Sequence, residues 1–461
     1  MTIRYLDPLE RLEYEVIQRK DQGVDAGGLE TQFLALGGLP EERARQEAGR
    51  ILADLMNQDA ARSGASAGAP DDLDAIRRAS PRQDAGPVAG HRLSVDALQD
   101  KILGGWLGRA AGCLLGKPVE RYMRPVLREM LESNNNWPLD NYWTQAGMPE
   151  EILSRYPWKQ RRGLESLREN IDCMPEDDDL NYVMLNLHVM ETHGYEFGSG
   201  DVGTAWLTKL PAMQVFTAER VAYFNLLAGL EAPQSASHMN PFREWIGARI
   251  RADLWGYVSP GDPALAAEMA WRDARISHTG NGIYAEMFFA ALIADAFLES
   301  DPRRLVEGAL AHIPAGCRLA QALARVLALP IHAMAWESVV DELATHFGNY
   351  HWVHSINNSA LTVAALLAGN GDYEKTICNT VMGGWDTDSN GATAGSVVGV
   401  IRGAAALPDK WIAPLKNRIR SSLGGFDNAK FSDLAQRTLA VIQQPGAGES
   451  PVSLTSRSDD F

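Results

Sequence analysis

Helical periodicity dominates the chain from Leu93 onward. Apolar residues recur at the spacing of one helix face, and alanine-rich runs such as EMFFAALIADAFLES (286–300) and NNSALTVAALLAG (357–369) are good helix formers. The strict alternation of apolar and polar residues that half-buried strands show is not found. The pattern therefore predicts an all-α fold, a compact multi-helix body over residues 93–445.

The first ninety residues follow a different pattern. Residues 1–60 are rich in Arg and Glu and predict two or three helices, one of which begins at the Pro-Glu-Glu of PEERARQEAGRILADLMNQ (40–58). Residues 61–92 are rich in Ala, Gly, Pro, Ser and Asp, which predicts a linker. We therefore expect a small helical N-terminal appendage separable from the body, and a flexible polar tail over residues 446–461.

The charge of the chain narrows the class of partner. The 461 residues include 43 Lys and Arg against 59 Asp and Glu, a net charge of −16. A nucleic-acid or anionic-membrane surface needs a basic footprint, so neither partner is expected. No segment reaches the roughly 18 uncharged apolar residues of a membrane span, and the charged N-terminus does not resemble a secretory signal. We expect a cytoplasmic protein, and the oligomeric state stays open.

The four cysteines are widely separated. Cys113, Cys173, Cys317 and Cys378 form no CxxC pair. A zinc cage or a disulfide framework is therefore not expected.

Glycines recur at every fourth position in ILGGWLGRAAGCLLGKPVE (102–120). Gly104, Gly108, Gly112 and Gly116 fall on one face of a predicted helix. Each glycine in a helix costs up to about 1 kcal/mol relative to alanine, so four on one face need a reason. Two interpretations remain open: tight packing against another helix, or close approach to a central site.

The first acidic cluster lies in PEDDDLNY (175–182). Glu176, Asp177, Asp178 and Asp179 directly precede a predicted amphipathic helix. One or two acids there would cap the helix and compensate its dipole. Four successive acids repel one another, and a bound cation relieves that repulsion, so capping and metal binding both stay open.

The second acidic cluster lies in GGWDTDSNGATAGSVVG (383–399). Asp386, Asp388 and Ser389 occupy a glycine-rich turn ahead of a helix of small residues. The stretch DTDSNG matches the first half of an EF-hand loop, but the bidentate acid required at the twelfth position is Val397.

The candidate ligands of both acidic clusters are hard oxygens, which favour Mg²⁺, Mn²⁺ or Ca²⁺. Two clusters at one site could hold two ions about 3.5–4 Å apart. Such ions could bind adjacent sugar hydroxyls and orient a water.

These motifs resemble those of the ADP-ribosylglycohydrolase family, in the same order along the chain. GGWLGRAAGCLLGKPVE resembles the opening glycine-rich helix of the family, PEDDDLNY stands in the place of a Thr-Asp-Asp-Thr metal motif, and GGWDTDSNGATAGSVVG resembles a second metal motif, Asp-x-Asp-Thr/Ser. A weaker match is RISHTGNGIYAEMFFAALIADAF (275–297). The resemblance covers about residues 93–407, and the appendage has no counterpart in it.

The resemblance implies an all-α fold with two Mg²⁺ ions in a central cleft, where Mn²⁺ could replace Mg²⁺. It implies hydrolysis of the glycosidic bond at the distal ribose of ADP-ribose, on a modified protein or on a small compound. The metal ligands that it implies are Glu176, Asp177, Asp178, Asp386, Asp388 and Ser389. Glu176 and Asp179 stand where the family has threonine, and Cys113 stands where it often has aspartate.

The resemblance also implies roles in catalysis. Asp177 or Asp178 would act as the base toward water or orient it, with Asp178 preferred. Glu120 matches a glutamate on a mobile loop of the family. Nearby carboxylates suit an oxocarbenium-like centre at the anomeric carbon.

Candidate substrate-binding residues lie elsewhere in the chain: His278, Thr279, Gly280, Tyr350, Asn357 and Gly384. An aromatic residue of NYHWVHSINNS (349–359) could stack a base, and Arg243, Arg249 and Arg251 could bind phosphate. For the histidine and the aromatic residues core packing is the alternative, and for the arginines it is pairing with Glu244 and Asp253. Two other functions stay open: hydrolysis of another N-ribosyl compound such as a nucleoside, and a non-catalytic binding protein of the same fold.

Overall fold

The computed structural model describes residues 3–62, 69–81, 93–158 and 160–444. Within these ranges the chain forms 23 α-helices and nine short 3-10 helices, and its β-pairing is limited to isolated bridges. The prediction of an all-α fold is confirmed. None of the helices in the described ranges is long and apolar enough to cross a membrane.

The α-helices, in chain order, are α1 (Pro8–Asp21), α2 (Gly27–Ala35), α3 (Glu41–Arg62), α4 (Leu73–Ala79), α5 (Val95–Gly116), α6 (Arg124–Ser133), α7 (Glu150–Arg155), α8 (Gln160–Glu165), α9 (Asp178–His193), α10 (Ser199–Lys209), α11 (Thr217–Leu227), α12 (Gln234–Ser237), α13 (Asp253–Tyr257), α14 (Pro263–Ala274), α15 (Asn281–Asp295), α16 (Pro302–Ala309), α17 (Arg318–Ala328), α18 (Trp336–Phe347), α19 (Ser355–Gly369), α20 (Tyr373–Met382), α21 (Thr387–Arg402), α22 (Asp409–Ile412) and α23 (Phe431–Ile442).

Helices α5 and α21 form the most closely packed pair of the body. Gly104, Gly108 and Gly112 on α5 face Gly399, Gly395 and Gly391 on α21, so the two helices run antiparallel. A Cβ added at Gly112 would lie 2.0 Å from the carbonyl oxygen of Gly391, closer than any real Cβ contact. The glycine stripe therefore serves backbone-to-backbone packing, which is the first of the two interpretations of the sequence.

The packing of α5 against α21 also positions candidate site residues. At the C-terminal end of α5, the Thr387 hydroxyl donates a hydrogen bond of 2.8 Å to the carbonyl oxygen of Gly116. The first turn of α21 is thereby fixed beside the segment that follows α5. Residues 117–120 and residues 386–389 consequently share one edge of the body.

Three helices form the centre of the core. Every residue of α15 from Asn281 to Ala294 is buried, as is every residue of α21 from Thr387 to Val400, and α19 is buried from Ser355 to Leu367. Helices that are buried all round belong to the interior of a large domain. Helices α5, α9, α13, α14 and α20 pack around them.

The appendage is packed onto the body. Helices α1 and α3 share a small apolar core of their own, which includes Leu12, Val16 and Ala48. Tyr5, in contrast, belongs to the main core, where its ring lies edge-on to Phe242 at 5.5 Å between centroids. The division into an appendage and a catalytic domain stays a prediction, and Tyr5 gives the appendage a contact with the core of the body.

Part of the predicted linker is helical and docked. Residues 69–81 contain α4, whose Ile76 is fully buried in the main core. The indole of Trp271 donates to the carbonyl oxygen of Asp71 at 2.8 Å, and the Tyr284 hydroxyl donates to that of Pro70 at 2.6 Å. The composition suggested a linker because few large apolar residues anchor this stretch. Residues 63–68, the rest of the predicted linker (82–92) and the predicted tail lie outside the described residues.

Candidate metal centre and active-site cavity

A cavity of about 540 Å³ opens where the N-termini of α9 and α21 meet. Its lining includes carboxylates from four separate parts of the chain: Glu120, Asp177, Asp178, Asp179, Glu219, Asp386 and Asp388. Ser389 and Lys117 line it as well. The two acidic clusters of the sequence, about 210 residues apart, thus face one space.

The first acidic cluster begins α9. Asp177 is the N-cap, and its Oδ1 accepts a hydrogen bond from the backbone N–H of Asp179 at 3.0 Å. The Asp179 carboxylate accepts from the Ser389 hydroxyl at 3.2 Å, which ties α9 directly to α21. The capping interpretation of the cluster holds for Asp177, and it leaves Asp178 half-buried at the cavity wall.

A fully buried guanidinium supports this cluster from behind. Arg109 on α5 donates to the carbonyl oxygen of Asp179 from Nε at 3.0 Å and from Nη2 at 2.7 Å, and to Asp253 at 2.8 Å. A buried charge needs such partners, and the multiple bonds fix the start of α9.

Lys117 lies in front of the cluster. Its buried ammonium donates to the Asp177 carboxylate in a close ion pair, and to the backbone carbonyl of Glu176 at 2.8 Å. Burial alone would raise the pKa of Asp177, but the Lys117 ammonium and these hydrogen bonds hold it below its ordinary value. Asp177 therefore already has a cationic partner at the cavity, as Asp179 does in Arg109.

The second acidic cluster is positioned by the turn before α21. The turn passes through the left-handed region at Gly384 (φ 82°) and Trp385 (φ 61°). Asn358 then fixes its far side, because its Oδ1 accepts from the backbone N–H of Asp386 at 3.2 Å and from the Asn390 amide at 2.7 Å. Asp386 and Asp388 consequently point to the same space as Glu120.

One carboxylate oxygen from each of Glu120, Asp386 and Asp388 lies within 4.8 Å of the other two. Burial, and then the nearby carboxylates of Glu120 and Asp177, raise the pKa of Asp388 to about 7. Burial and Asp388 also raise the pKa of Asp386 well above its ordinary value. Crowded carboxylates of this kind are stabilised by a cation, and an all-oxygen set suits Mg²⁺ or Mn²⁺. The donor set therefore fits the metal that the resemblance implies.

A second group is less suited to a hard ion. Cys113, Asp177 and Asp179 also place one ligand atom each within 4.8 Å of one another. Burial holds the pKa of the Cys113 thiol well above its ordinary value, so the thiol is neutral. Lys117 already neutralises Asp177.

The structure brings most of the predicted metal and catalytic residues to the cavity: Glu120, Asp177, Asp178, Asp386, Asp388 and Ser389. Glu176 does not line it. Its carboxylate accepts from the Asn181 amide at 3.5 Å, and its backbone carbonyl faces Lys117 instead. The helix begins at Asp178, so the side chain of Glu176 precedes the turn that presents the aspartates.

The predicted substrate-binding residues do not line the cavity. His278 is fully buried, with Nδ1 at 2.8 Å from the Ser277 hydroxyl, and burial holds its pKa well below the ordinary value. Gly280 donates its N–H to Asp71 at 2.6 Å, and Thr279 donates its own N–H to the carbonyl oxygen of Arg243 at 3.0 Å. These three residues form the junction of α4, α14 and α15.

Tyr350, Asn357 and Gly384 lie just behind the wall. Asn357 donates its amide to the carbonyl oxygen of His351 at 3.2 Å, and the ring of Tyr350 lies 4.6 Å from that of His354. Their neighbours His351, Trp352 and Val353 line the cavity instead. The prediction thus identified the right aromatic segment, but it named Tyr350 where the adjacent His351 lines the cavity.

The arginines proposed for phosphate have other partners, and Arg249 and Arg251 are fully buried. Arg243 pairs with Glu15 at 2.7 Å, and Arg251 pairs with Asp273 and Glu219, both at 3.0 Å. Arg249 donates to Asn390 at 2.7 Å. The structural interpretation of these arginines holds, although the acids differ from the Glu244 and Asp253 expected.

Several cavity residues escaped the sequence analysis: Arg4, Tyr5, Tyr14, Lys117, Glu219 and Trp245. Only Lys117 carried a local signal, since it directly precedes the Pro-Val-Glu that contains Glu120. The others reach the cavity through tertiary contacts that no spacing along the chain records.

Comparison with known proteins identifies a family of glycohydrolases. The family model of ADP-ribosylglycohydrolase matches residues 94–448. No curated protein matches the chain. A solved structure described as an "ADP-ribosylglycohydrolase-related protein complex" is similar at 19% sequence identity and a TM-score of 0.46, covering 75% of this chain and 98% of that chain.

The family match spans more than half of the chain, so the chain belongs to the ADP-ribosylglycohydrolase family. Members are metal-dependent glycohydrolases that act on ADP-ribosylated substrates. The match begins at residue 94, which places α1 to α4 outside it.

Proposed function

We propose that this protein is a Mg²⁺-dependent hydrolase that cleaves the glycosidic bond at the ribose of an ADP-ribosyl group, on a modified protein or on a small compound. The observation that carries the proposal is the convergence of Glu120, Asp386 and Asp388 with the aspartates of α9 in one cavity. Family membership supplies the reaction class, and the cavity supplies an acidic floor of hard oxygens.

Metal binding is assigned to Glu120, Asp386 and Asp388, with Ser389 and the α9 aspartates beside them. A bound Mg²⁺, or Mn²⁺ in its place, would supply a Lewis acid for orienting the ribose hydroxyls and a water. Neighbouring residues position the carboxylates that would hold such an ion: Asn358 fixes the backbone of Asp386, and the Ser389 N–H donates to Asp388 at 3.0 Å.

Asp178 is the proposed base. Its half-buried carboxylate faces the cavity, whereas Asp177 is held by Lys117 and Asp179 by Arg109 and Ser389. Burial and the charges of Asp177 and Asp388 raise the pKa of Asp178 above its ordinary value, and a carboxylate of raised pKa is a better proton acceptor once it is ionised. It would take a proton from water as that water attacks the anomeric carbon and the glycosidic bond breaks; the departing nitrogen or oxygen keeps the electron pair and is protonated from solvent.

The proposal is tested by product release. The protein is incubated with ADP-ribosylarginine, ADP-ribosylserine and unmodified nucleosides, first with Mg²⁺ and then with EDTA. Metal-dependent release of free ADP-ribose is expected. Turnover of nucleosides alone would assign the protein to another N-ribosyl substrate, and binding without turnover would make it a binding protein.

Matched variants separate the chemistry from the fold. Asp178→Asn should lower kcat by about 10²-fold or more while Mg²⁺ binding persists. Asp388→Asn should lower both Mg²⁺ affinity and activity. Asp409→Asn, at an exposed residue in the first turn of α22, serves as the control and should leave both unchanged.

A further inference from the structure

The outer wall of the cavity comes from a segment that the family match does not include. Arg4, Tyr5 and Tyr14 line the same space as Asp178 and Asp388, yet they precede residue 94. The N-terminal appendage is thus part of the cavity, although nothing in the family assignment gives it a role.

Buried polar contacts fix this segment in place. The Arg243 guanidinium donates to both carboxylate oxygens of Glu15, at 2.7 and 3.1 Å. The Gln18 amide donates to Glu244 at 2.9 Å, and Arg318 donates to the carbonyl oxygen of Asp21 at 2.5 Å. Glu15 and Gln18 are both buried, so α1 is held as a rigid element of the wall.

Aromatic rings complete the contact at the cavity itself. Tyr14 lies edge-on to Trp245 at 5.2 Å and to His351 at 5.8 Å, and Trp245 stacks on His351 at 4.3 Å. Arg4 then lies with its guanidinium 4.7 Å from the centroid of the Tyr5 ring, and its side chain is exposed. The aromatic residues of this wall therefore lie beside an exposed cation of the cavity lining.

The cavity lining contains an acidic floor and three cationic side chains. The floor carries the carboxylates, which repel an anionic group. Among the described residues that line the cavity, the cationic side chains are Lys117, Arg121 and Arg4. Lys117 is held by Asp177, and Arg121 pairs with Glu120 at 3.3 Å. Arg4 is the cation of these three for which the described residues supply no carboxylate partner.

We propose that the N-terminal segment, through Arg4 beside Tyr5 and Tyr14, binds the phosphate groups that the substrate carries beyond the ribose. The inference rests on the proposed function, since it places the ribose over the acidic floor. It assigns the appendage a role in specificity: substrates with phosphate are selected over uncharged nucleosides. Guanidinium groups suit phosphate because they donate parallel hydrogen bonds to it.

The test compares Arg4→Ala and Arg4→Glu with wild-type full-length protein. Calorimetric binding of ADP-ribose, at saturating Mg²⁺, should weaken about tenfold for Arg4→Ala, and more for Arg4→Glu. Binding of adenosine should not change. In turnover of the ADP-ribosyl compound that wild type cleaves, KM should rise while kcat is retained.

Arg50→Ala is the matched control, because Arg50 is an exposed arginine of the same appendage on α3 that does not line the cavity. It should behave as wild type. The inference is overturned if Arg4→Ala binds ADP-ribose as wild type does, or if adenosine or Arg50→Ala shows the same loss.

The same measurements separate this inference from the proposed function. If wild type binds ADP-ribose but cleaves no ADP-ribosyl compound, hydrolysis is refuted while the Arg4 comparison still decides the role of the wall. If wild type binds no ADP-ribose at all, both are overturned. Raising the ionic strength should weaken ADP-ribose binding less in Arg4→Ala than in wild type, since one screened contact is gone.

Discussion

Lys117 and Asp177 form a buried ion pair at the edge of the candidate metal centre. The lysine follows the C-terminal end of α5, and the aspartate caps α9 some 60 residues later. The pair places a positive charge among carboxylates that would otherwise repel one another.

Lys117→Met should therefore destabilise the metal-free protein. Removing one partner of a buried pair costs about 3–5 kcal/mol, because it leaves the other charge unpaired. Because a cation can replace the missing ammonium, Mg²⁺ should raise the melting temperature of the variant more than that of wild type. Thermal unfolding with EDTA and with Mg²⁺ measures both effects.

Lys416→Met provides the comparison. Lys416 pairs with Asp172 on the surface, where both side chains are more than half exposed. An exposed pair contributes about 0–1 kcal/mol, so this variant should unfold almost as wild type does. Equal stability of Lys117→Met and wild type without metal would show that the buried pair does not stabilise the fold.

Mg²⁺ affinity should depend on pH through Asp388. Burial, followed by the charges of Glu120 and Asp177, raises its pKa to about 7 in the metal-free protein. A metal ion binds the deprotonated carboxylate, so protons compete with the ion below that pH. Affinity should fall by at least about tenfold per pH unit below 7, because Asp388 must release one proton and the raised pKa of Asp386 adds to the same competition. Titration calorimetry at several pH values measures this.

The stability of the metal-free protein should also depend on the ionisation of Asp388. It should fall as pH rises, whereas Mg²⁺ affinity should increase. The pKa of Asp388 is about 7 in the folded state and 3.8 in the unfolded state. Between these two pH values the folded state therefore binds more protons than the unfolded state does. The stabilising contribution is complete below pH 4 and is lost as pH rises through about 7. Unfolding should therefore be easier at pH 8 than at pH 5.5 with EDTA, and Mg²⁺ should reduce the difference. A stability that does not change over this range would contradict the assignment.

The acidic clusters could be predicted from the sequence because each is local. Asp177 and Asp178 are adjacent in one motif, and Asp386 and Asp388 in another, so spacing alone indicated hard-oxygen ligands. The all-α fold followed from periodicity in the same way. What the sequence could not provide was the partner of each group, since Lys117 and Asp177 meet only after α5 and α9 have packed.

The same dependence on tertiary packing explains why the predicted substrate-binding residues do not line the cavity. The histidine of a motif can face a cavity or the core, and His278 faces the core beside Ser277. In NYHWVHSINNS the aromatic character was evident, but the wall is formed by His351 and Trp352 because the helix begins only at Ser355. Tyr5 and Tyr14 reach the cavity through docking of the appendage, for which the sequence carried no periodic signal.

The packing of α5 on α21 makes a prediction for Gly112. A methyl group there would lie 2.0 Å from the carbonyl oxygen of Gly391, which belongs to a helix backbone that cannot move freely. Gly112→Ala should destabilise the protein by about 1–3 kcal/mol or more, as overpacking does. Urea unfolding measures the loss, and displacement of α21 should also reduce Mg²⁺ affinity.

Gly28→Ala is the matched substitution in a helix without a close neighbour. Gly28 lies in α2, and a Cβ there meets nothing within 4 Å. Alanine is the better helix former, so this variant should gain up to about 1 kcal/mol. If Gly112→Ala were as stable as Gly28→Ala, the close approach of the two backbones would be refuted.

The docking of α1 should depend on Glu15. Its carboxylate accepts two hydrogen bonds from Arg243 and a third from Arg19 at 2.9 Å, in a buried setting. Glu15→Ala leaves the Arg243 guanidinium without this partner, which should weaken the contact between α1 and the body. Hydrogen exchange of the α1 amides should therefore become faster, while the amides of α15 at the centre of the core stay protected.

Glu30→Ala, at an exposed ion pair with Lys20, should leave α1 exchange close to that of wild type. Unchanged exchange in Glu15→Ala would instead assign the docking of α1 to the aromatic contacts of Tyr5 and Tyr14.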